Sequence, residues 1–461
     1  EVSHKSWSLT IRLVIKRLQK KNRASRYYAH FDEKISLGRA WNYISNPENV
    51  KKHGFYPFIH YEKKFNKYKK ENGAGFIKEK TRDLCYSAHI DRYIYSYYSY
   101  LLNQEYNKYL QLHDMNMSVV AYRDNLKKNN IHFAKIAFDY IRESQECYVI
   151  IGDFSHFFDS LDHKYLKEQI CTVLGSERLP DDYYAVFKNI TQYSAWELTD
   201  LLKLNGLQDT EHDIHTLNSR PKVLDKTEFK KYKRGYVKKH LEDFGIPQGS
   251  AISAVLANIY MIKADEEIVR YVSGYNGLYM RYSDDFIIIL PHLSESEFNA
   301  ALGMIVKIIK TVPRLLLQEE KTQLFKYKER KLQSCNASFL EKIKNGKNEI
   351  DYLGFTFNGK EITLRDKTVS KYYYRLYKKI KTIEKAEGYS RLGKRISCKN
   401  LYEKYSVKGS HLKGKDGKMK GNFITYVQRA QKIFDNEESI DRKTKRHMLK
   451  IRRRLNEVFK K

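Results

Sequence analysis

Two rhythms of apolar and polar positions run along the chain. From Cys147 the run Cys-Tyr-Val-Ile-Ile-Gly carries no charge and stops abruptly at Asp153. That is the pattern of a strand buried on both faces and ending at a polar site. The runs Gly277–Tyr282 and Phe286–Leu290 flank Ser283-Asp284-Asp285, which predicts a hairpin holding two carboxylates at its tip. Gly245, Pro247 and Gly249 predict a tight turn, Ser250 a cap, and Ile252, Val255, Leu256 and Ile259 a helix behind them. Helical spacing recurs near the two ends of the chain. Trp7, Leu9, Ile11, Leu13, Val14, Ile15 and Leu18 predict an amphipathic helix, and Arg12 and Lys16 break what would be the apolar segment of a leader peptide. Phe423, Tyr426, Val427, Ala430 and Phe434 predict another. With 7 Pro and 22 Gly in 461 residues, long helices and few strands are expected.

Charge sharpens this picture. Lys and Arg number 86 against 55 Asp and Glu, a net charge of +31, while 41% hydrophobic residues supply a real core. A folded protein this basic is expected to bind a polyanion, nucleic acid before an acidic membrane surface. No segment approaches the roughly 18 apolar residues of a membrane span, so no membrane partner is expected. The five cysteines show no C-x-x-C spacing, which argues against a disulfide framework or zinc site and fits a reducing cytoplasm. Between Lys360 and Lys461, 31 basic residues face 11 acidic ones. That region reads as a helical, nucleic-acid-binding lobe. Its run Lys443, Lys445, Arg446, Lys450, Arg452, Arg453 and Arg454 is expected on one helical stretch, with Arg452, Arg453 and Arg454 as nucleic-acid contacts. The basic segment Lys226–His240 is either an RNA contact or part of a solvated insertion.

Adjacent carboxylates repel, so Asp284 and Asp285 near a third carboxylate need a cation to offset them. In their order along the chain, the Asp153 strand, the Gly245–Tyr260 turn and helix, and the Tyr282-Ser-Asp-Asp285 hairpin resemble motifs A, B and C of reverse transcriptases. Lys80-Thr-Arg82 with Asp91-Arg92 is similar to the fingers motif, and Val119–Arg123 to the lead-in to the palm. Leu315–Thr322 resembles motif D, and Tyr352-Leu-Gly-Phe355 the palm-to-thumb turn. The resemblance implies an α+β right-hand polymerase, helix-rich overall, with fingers, a ferredoxin-like palm built on an antiparallel sheet, and an all-helical C-terminal thumb. The expected divisions are a helical extension and start of fingers over 1–75, fingers over 76–145, a palm over 146–357 with an insertion at about 163–243, and a basic thumb over 358–461.

The same resemblance implies an RNA-directed DNA polymerase, adding deoxynucleotides through two Mg²⁺ ions for which Mn²⁺ can substitute. Two-cation catalysis suits in-line phosphoryl transfer, and hard divalent cations take carboxylate oxygens. Asp153, Asp284 and Asp285 would hold the metals with the backbone carbonyl of Phe154. Lys80 and Arg82 would neutralise the triphosphate, and Lys321 would protonate the departing pyrophosphate. Gln248 and Gly249 would line the nascent pair, Tyr282 and Ser283 would lie beneath the primer end, and Arg92 would meet primer or template. Phe158 would exclude a 2′-hydroxyl by its bulk.

Expected partners are an RNA template, a DNA product, deoxynucleoside triphosphates and a second copy of the chain. Tyr27–Phe31, Ile44–Pro47, His53–Ile59, Ser370–Arg375 and Gly421–Tyr426 resemble bacterial abortive-infection reverse transcriptases. This implies anti-phage defence in a bacterial cytoplasm, with a structured noncoding RNA. Three alternatives stay open: template-independent, protein-primed DNA synthesis at the same site, a non-catalytic RNA-binding scaffold, and an RNA-dependent RNA polymerase.

Overall fold

The computed structural model describes residues 14–16, 18, 28–71, 74–340, 343–390, 393–410, 412 and 421–459. Within the segment 7–18, Val14, Ile15 and Leu18 are helical and Leu18 is buried, while the rest of that helix and Tyr27 lie outside the described residues.

The strands, in chain order, are β1 (Phe58–Glu62), β2 (Phe65–Glu71), β3 (Ala74–Lys80), β4 (Asp83–Tyr86), β5 (Glu146–Ser155), β6 (Ser194–Glu197), β7 (Lys238–Lys239), β8 (Leu278–Tyr282), β9 (Asp285–Pro291), β10 (Leu316–Leu317), β11 (Gln323–Lys328), β12 (Lys331–Ser334), β13 (Ile350–Tyr352), β14 (Phe355–Phe357) and β15 (Ile362–Leu364). The central sheet runs β12-β11-β5-β9-β8, all antiparallel, with β10 added to the end of β5.

The unbroken apolar runs of β5 and β9 follow from burial on both faces. Tyr148 and Ile150 of β5 and Phe286, Ile288 and Leu290 of β9 join a core with helices Ser253–Tyr260, Ile262–Ser273 and Glu295–Lys310. Cys147, Val149, Ile287 and Ile289, one residue out of phase, join Phe133 and Phe138 of helix Asn130–Glu143, Phe357 of β14 and Val427 of helix Phe423–Ile433. A strand whose alternate side chains enter two different cores has no polar face to show.

Several expectations change. The 1–75 segment carries helices Leu37–Ile44 and Pro47–Lys51 and then turns to strands: β1 and β2 follow, and β2 pairs with β3. The stretch 163–243 is tied to the N-terminal strands, because β6 pairs in parallel with β1, giving a sheet ordered β4-β1-β6-β7. Its Trp196 is fully buried beside Phe31, Ile59 and Leu201. The C-terminal region is helical only from Asp366, since β15 closes a three-stranded sheet with β13 and β14. Strands exceed the expected few because tight hairpins need no glycine here. Glu329 and Arg330 both take positive φ (49° and 61°) between β11 and β12, and Ser283 takes φ 66° between β8 and β9. Finally, Lys443, Lys445 and Arg446 precede helix His447–Phe459 in a series of turns, so the basic run is not on one helix.

Candidate active site

Three acidic residues meet at one end of the central sheet. Asp153 on β5 and Asp285 on β9 are direct antiparallel partners, which puts their side chains on the same face about 5 Å apart at Cβ. Asp284 sits in the turn between β8 and β9, and its carbonyl accepts from Phe154 N at 3.3 Å. Gly152, just before Asp153, cannot be larger: an added Cβ would lie 2.3 Å from the ring of Phe286.

A cation already answers this charge. Lys321 Nζ donates to Asp153 Oδ2 at 2.5 Å, from a short 3₁₀ turn anchored by Gln318 N donating to Asp153 O at 2.8 Å. Asp153 Oδ1 is buried and has no partner. Removal from water and the neighbouring Asp153 raise Asp284 above the ordinary carboxylate range. Asp285 reaches the cleft surface, yet removal from water with Asp284 and Asp153 beside it pushes its carboxyl up to about 6, against the opposing pull of Arg365 and Lys321. Among the described residues no three His, Cys, Asp or Glu side chains are closed around a metal position. The donor set nevertheless suits a hard divalent cation: an orphaned, buried carboxylate oxygen stands beside two carboxyls whose proton affinity is raised by burial and by one another's charge.

A buried network that the sequence reading did not pick out holds the turn. Arg281 and Asp265 are both fully buried. The guanidinium donates to both Asp265 oxygens (2.8 and 2.5 Å), to Asn258 Oδ1 at 3.3 Å and to the carbonyl of Ser283 at 2.9 Å. Tyr279 O–H donates to Asp265 at 2.6 Å. Ser283 is thereby fixed in a left-handed conformation that a serine does not favour. The signal was present: a lone Arg inside an apolar strand, and an Asp on the stripe of Ile262, Ile268 and Val272. Tyr122 O–H also donates to Ser283 Oγ at 3.3 Å, and Arg365, paired with Asp351 at 2.9 Å, lends its charge to Asp285.

The Gly245–Gly249 segment joins the Phe157–Ser160 turn to β4. Ile246 N donates to Phe158 O at 3.0 Å, Gln248 Nε2 donates to the Asp159 carboxylate at 3.1 Å, and Cys85 N on β4 donates to Gln248 O at 2.8 Å. Gly249 has φ 108°, and a Cβ there would lie 2.6 Å from Cys85 O. Ser250 does not cap the following helix. Its hydroxyl is buried without a partner, the helix begins at Ser253, and Ser253 Oγ instead donates to Pro247 O at 2.7 Å, because the turn carries the chain one step further before helical φ/ψ begins. Phe158 lies half-buried in the 3₁₀ turn Phe157–Ser160, its ring tilted against Phe157. Tyr282 ends β8, half-buried.

Other expected site residues stand apart from the carboxylates. Lys80 ends β3 and Arg82 lies over the ring of Phe65, both exposed. Arg92 is held between Tyr28 and Tyr93, with its Nε buried and unpartnered. Arg452, Arg453 and Arg454 are exposed on the last helix, where Arg453 pairs with Glu457 and Arg454 covers Tyr377.

Residues 95–357 match the family described as reverse transcriptase (RNA-dependent DNA polymerase). The chain belongs to the reverse transcriptase family. No curated protein matches it in sequence. Among solved structures, it is similar to apo telomerase from Candida tropicalis truncated from its C-terminal domain, at 12% identity over 65% of this chain and 54% of that one, with a TM-score of 0.39. It is also similar to telomerase from Candida albicans in complex with a TWJ fragment of telomeric RNA, at 11% identity over 92% of this chain and 65% of that one, with a TM-score of 0.38. The chain thus spans about half the length of the first of these. The described helices include none long and apolar enough to cross a membrane, and the five cysteines are free.

Proposed function

We propose that the protein is an RNA-directed DNA polymerase whose palm adds deoxynucleotides at Asp153, Asp284 and Asp285. The observation that carries this reading is the unpartnered, buried Asp153 Oδ1 set in register with Asp285 and beside Asp284. These carboxylates, with the Phe154 carbonyl, are the residues to hold two Mg²⁺ ions, or Mn²⁺ in their place. When bound, such ions lower the pKa of a primer hydroxyl and stabilise the charge of the leaving phosphates. Lys321 neutralises Asp153 in their absence, and an ammonium so close to the acceptor carboxylates is placed to give a proton to departing pyrophosphate once its ion pair is replaced. Arg281 keeps the Ser283 turn in the one shape that presents Asp284. Gln248, tied to Asp159, and Gly249 form the floor for the incoming pair. Phe158 stands where bulk selects against a 2′-hydroxyl, while Lys80, Arg82 and Arg92 supply fingers cations for triphosphate and template.

The test is extension of a DNA primer on an RNA template with Mg²⁺. Incorporation lost in Asp153→Asn with retained RNA binding supports the reading, and unchanged incorporation removes it. The finer role, bacterial anti-phage defence with a structured noncoding RNA, rests on the motif resemblance and on the +31 net charge. Sequencing the nucleic acid that copurifies with the protein decides it: one defined RNA species supports that role, and a random mixture opposes it.

A further inference from the structure

Two residues with positive φ meet at the catalytic turn. Ser283 takes φ 66° and Tyr122 φ 62°, and their side chains are joined, Tyr122 O–H donating to Ser283 Oγ at 3.3 Å. Polar turn residues such as Asn276 and Asn436 adopt this left-handed conformation at little cost, but a tyrosine does not. A bulky residue stays there only when its surroundings over-determine it.

The surroundings of Tyr122 do so from both sides. Residues 118–120 run along β8 as an added edge: Arg281 N donates to Ser118 O at 2.7 Å and Val120 N to Arg281 O at 3.0 Å. Buried Asn258 donates through Nδ2 to Ala121 O at 3.0 Å, while its Oδ1 accepts from Arg281. One buried pair, Arg281 with Asn258, therefore sets both the Ser283 turn and the backbone entering Tyr122. On the other side Arg123 is buried, its guanidinium committed to Asn107, Asn116 and the Val119 carbonyl at 2.6 to 2.8 Å. Asn103 Nδ2 donates to Tyr122 O at 3.1 Å. The backbone around Tyr122 is thus fixed, while the residue itself remains 45% exposed.

Folding alone does not call for an open aromatic ring in a strained conformation, since Asn or Gly makes the same turn with less strain. The place of the ring supplies a reason. A primer's terminal hydroxyl must come to the carboxylates to react, and Asp284 is one residue from Ser283, about 3.8 Å along the chain. The sugar behind that hydroxyl then has Ser283 and Tyr122 as its neighbours. With the phenol O–H committed to Ser283, the free part of Tyr122 is its apolar ring. A pentose offers that ring a carbon face that is the same at every step of synthesis, whatever the base.

On the polymerase reading given above, we propose that Tyr122 positions the primer end, its ring packed against the sugar of the last primer nucleotide. The bond to Ser283 sets the ring's orientation, and the rigid backbone keeps it in place between rounds of addition.

The experiment is steady-state extension of a DNA primer on an RNA template, with primer–template as the varied substrate, for the unsubstituted full chain, Tyr122→Asn and Tyr122→Phe. Asn accepts positive φ and removes the ring, whereas Phe keeps the ring and removes the hydroxyl. Tyr122→Asn should raise the primer–template KM roughly tenfold, the range of one lost apolar contact, with kcat within about threefold because the carboxylates are untouched. Tyr122→Phe should stay within about threefold of the unsubstituted chain in both constants. The melting temperature of Tyr122→Asn should hold or rise, because strain is relieved. Its KM increase should be the same for primers ending in A, C, G or T, and the log–log salt slope of primer–template binding should not change, because no phosphate contact is lost.

An unchanged KM in Tyr122→Asn overturns the proposal. So does a KM increase accompanied by a fall in melting temperature, which marks Tyr122 as a structural residue. Tyr122→Phe failing as badly as Tyr122→Asn overturns the ring contact, a loss confined to one terminal base overturns the sugar as its partner, and a flattened salt slope overturns both by assigning the contact to phosphate. Absence of extension by the unsubstituted chain overturns the polymerase reading and takes this role with it, whereas normal extension by both the unsubstituted chain and Tyr122→Asn removes this role alone.

Discussion

The Ser283–Asp284 turn and the C-terminal helices both gather charge, and they do so in opposite ways. At the turn, every charge behind the site is partnered: Arg281 and Asp265 are sealed from solvent and joined by two hydrogen bonds. On helices Asp366–Lys385 and Lys399–Tyr405, the exposed Lys371, Arg375, Lys378, Lys379 and Lys404 have no ion-pair partner among the described residues. A buried pair fixes geometry at short range and fails badly when one member is removed. Unpaired surface cations cost the fold little and act through a field that salt screens. Substitutions at the turn should therefore show in rate and stability, and substitutions of these cations in the salt dependence of binding alone.

The largest effect is expected at the carboxylates. Asp284→Asn with Asp285→Asn should lower incorporation roughly a thousandfold or more, since several kcal/mol of metal-borne charge stabilisation goes with them. Thermal stability should hold or rise because repulsion is relieved, and a well-folded double variant that still extends primers would end the comparison at once. Next is the clamp. Arg281→Met leaves Asp265 buried and unpaired and should cost about 3 kcal/mol or more in urea unfolding. Adding Asp265→Leu should return most of that stability while activity stays low, because the Ser283 carbonyl still lacks its donor. Activity recovering together with stability would show that Arg281 serves packing alone.

A smaller change is expected at Phe158. Phe158→Val should raise ribonucleotide relative to deoxynucleotide incorporation by about one to two orders of magnitude, the range one reshaped pocket contact supplies. A wild-type protein already indifferent to the sugar would favour the RNA polymerase alternative. The smallest effect is on stability with pH. The folded-state pKa of Asp285 is raised from 3.8 to about 6, so the folded protein holds the proton more tightly than the unfolded chain. Without divalent metal, stability should fall as pH rises from about 4 to about 6 and level off above, and the Asp284→Asn, Asp285→Asn variant should flatten that slope. Mg²⁺ should raise the melting temperature more at neutral pH than at pH near 5, where protons compete for the carboxylates. Equal stabilisation at both would place the metal elsewhere.

Much of the palm was readable because it rests on short-range rules. A strand sandwiched between two cores shows as an unbroken apolar run, as in Cys147–Ile151, and a two-residue turn shows as polar residues between two such runs, as at Ser283-Asp284. Turn chemistry misled where non-glycine residues adopt positive φ, as at Glu329 and Arg330, so strands were undercounted, and Ser250 was given a cap that the chain places elsewhere.

Period, turn composition and charge balance were set by the chain itself, since each depends on residues a few positions apart. Tertiary structure alone decided which distant groups became partners. It paired Asp153 with Asp285 across two strands, brought Lys321 to Asp153 from 168 positions away, placed β6 beside β1, and left Lys371, Arg375 and Lys378 open while Arg453 and Arg454 found neighbours. Pairing and desolvation act between surfaces in contact, and contact between residues far apart in sequence exists only once the chain has closed on itself.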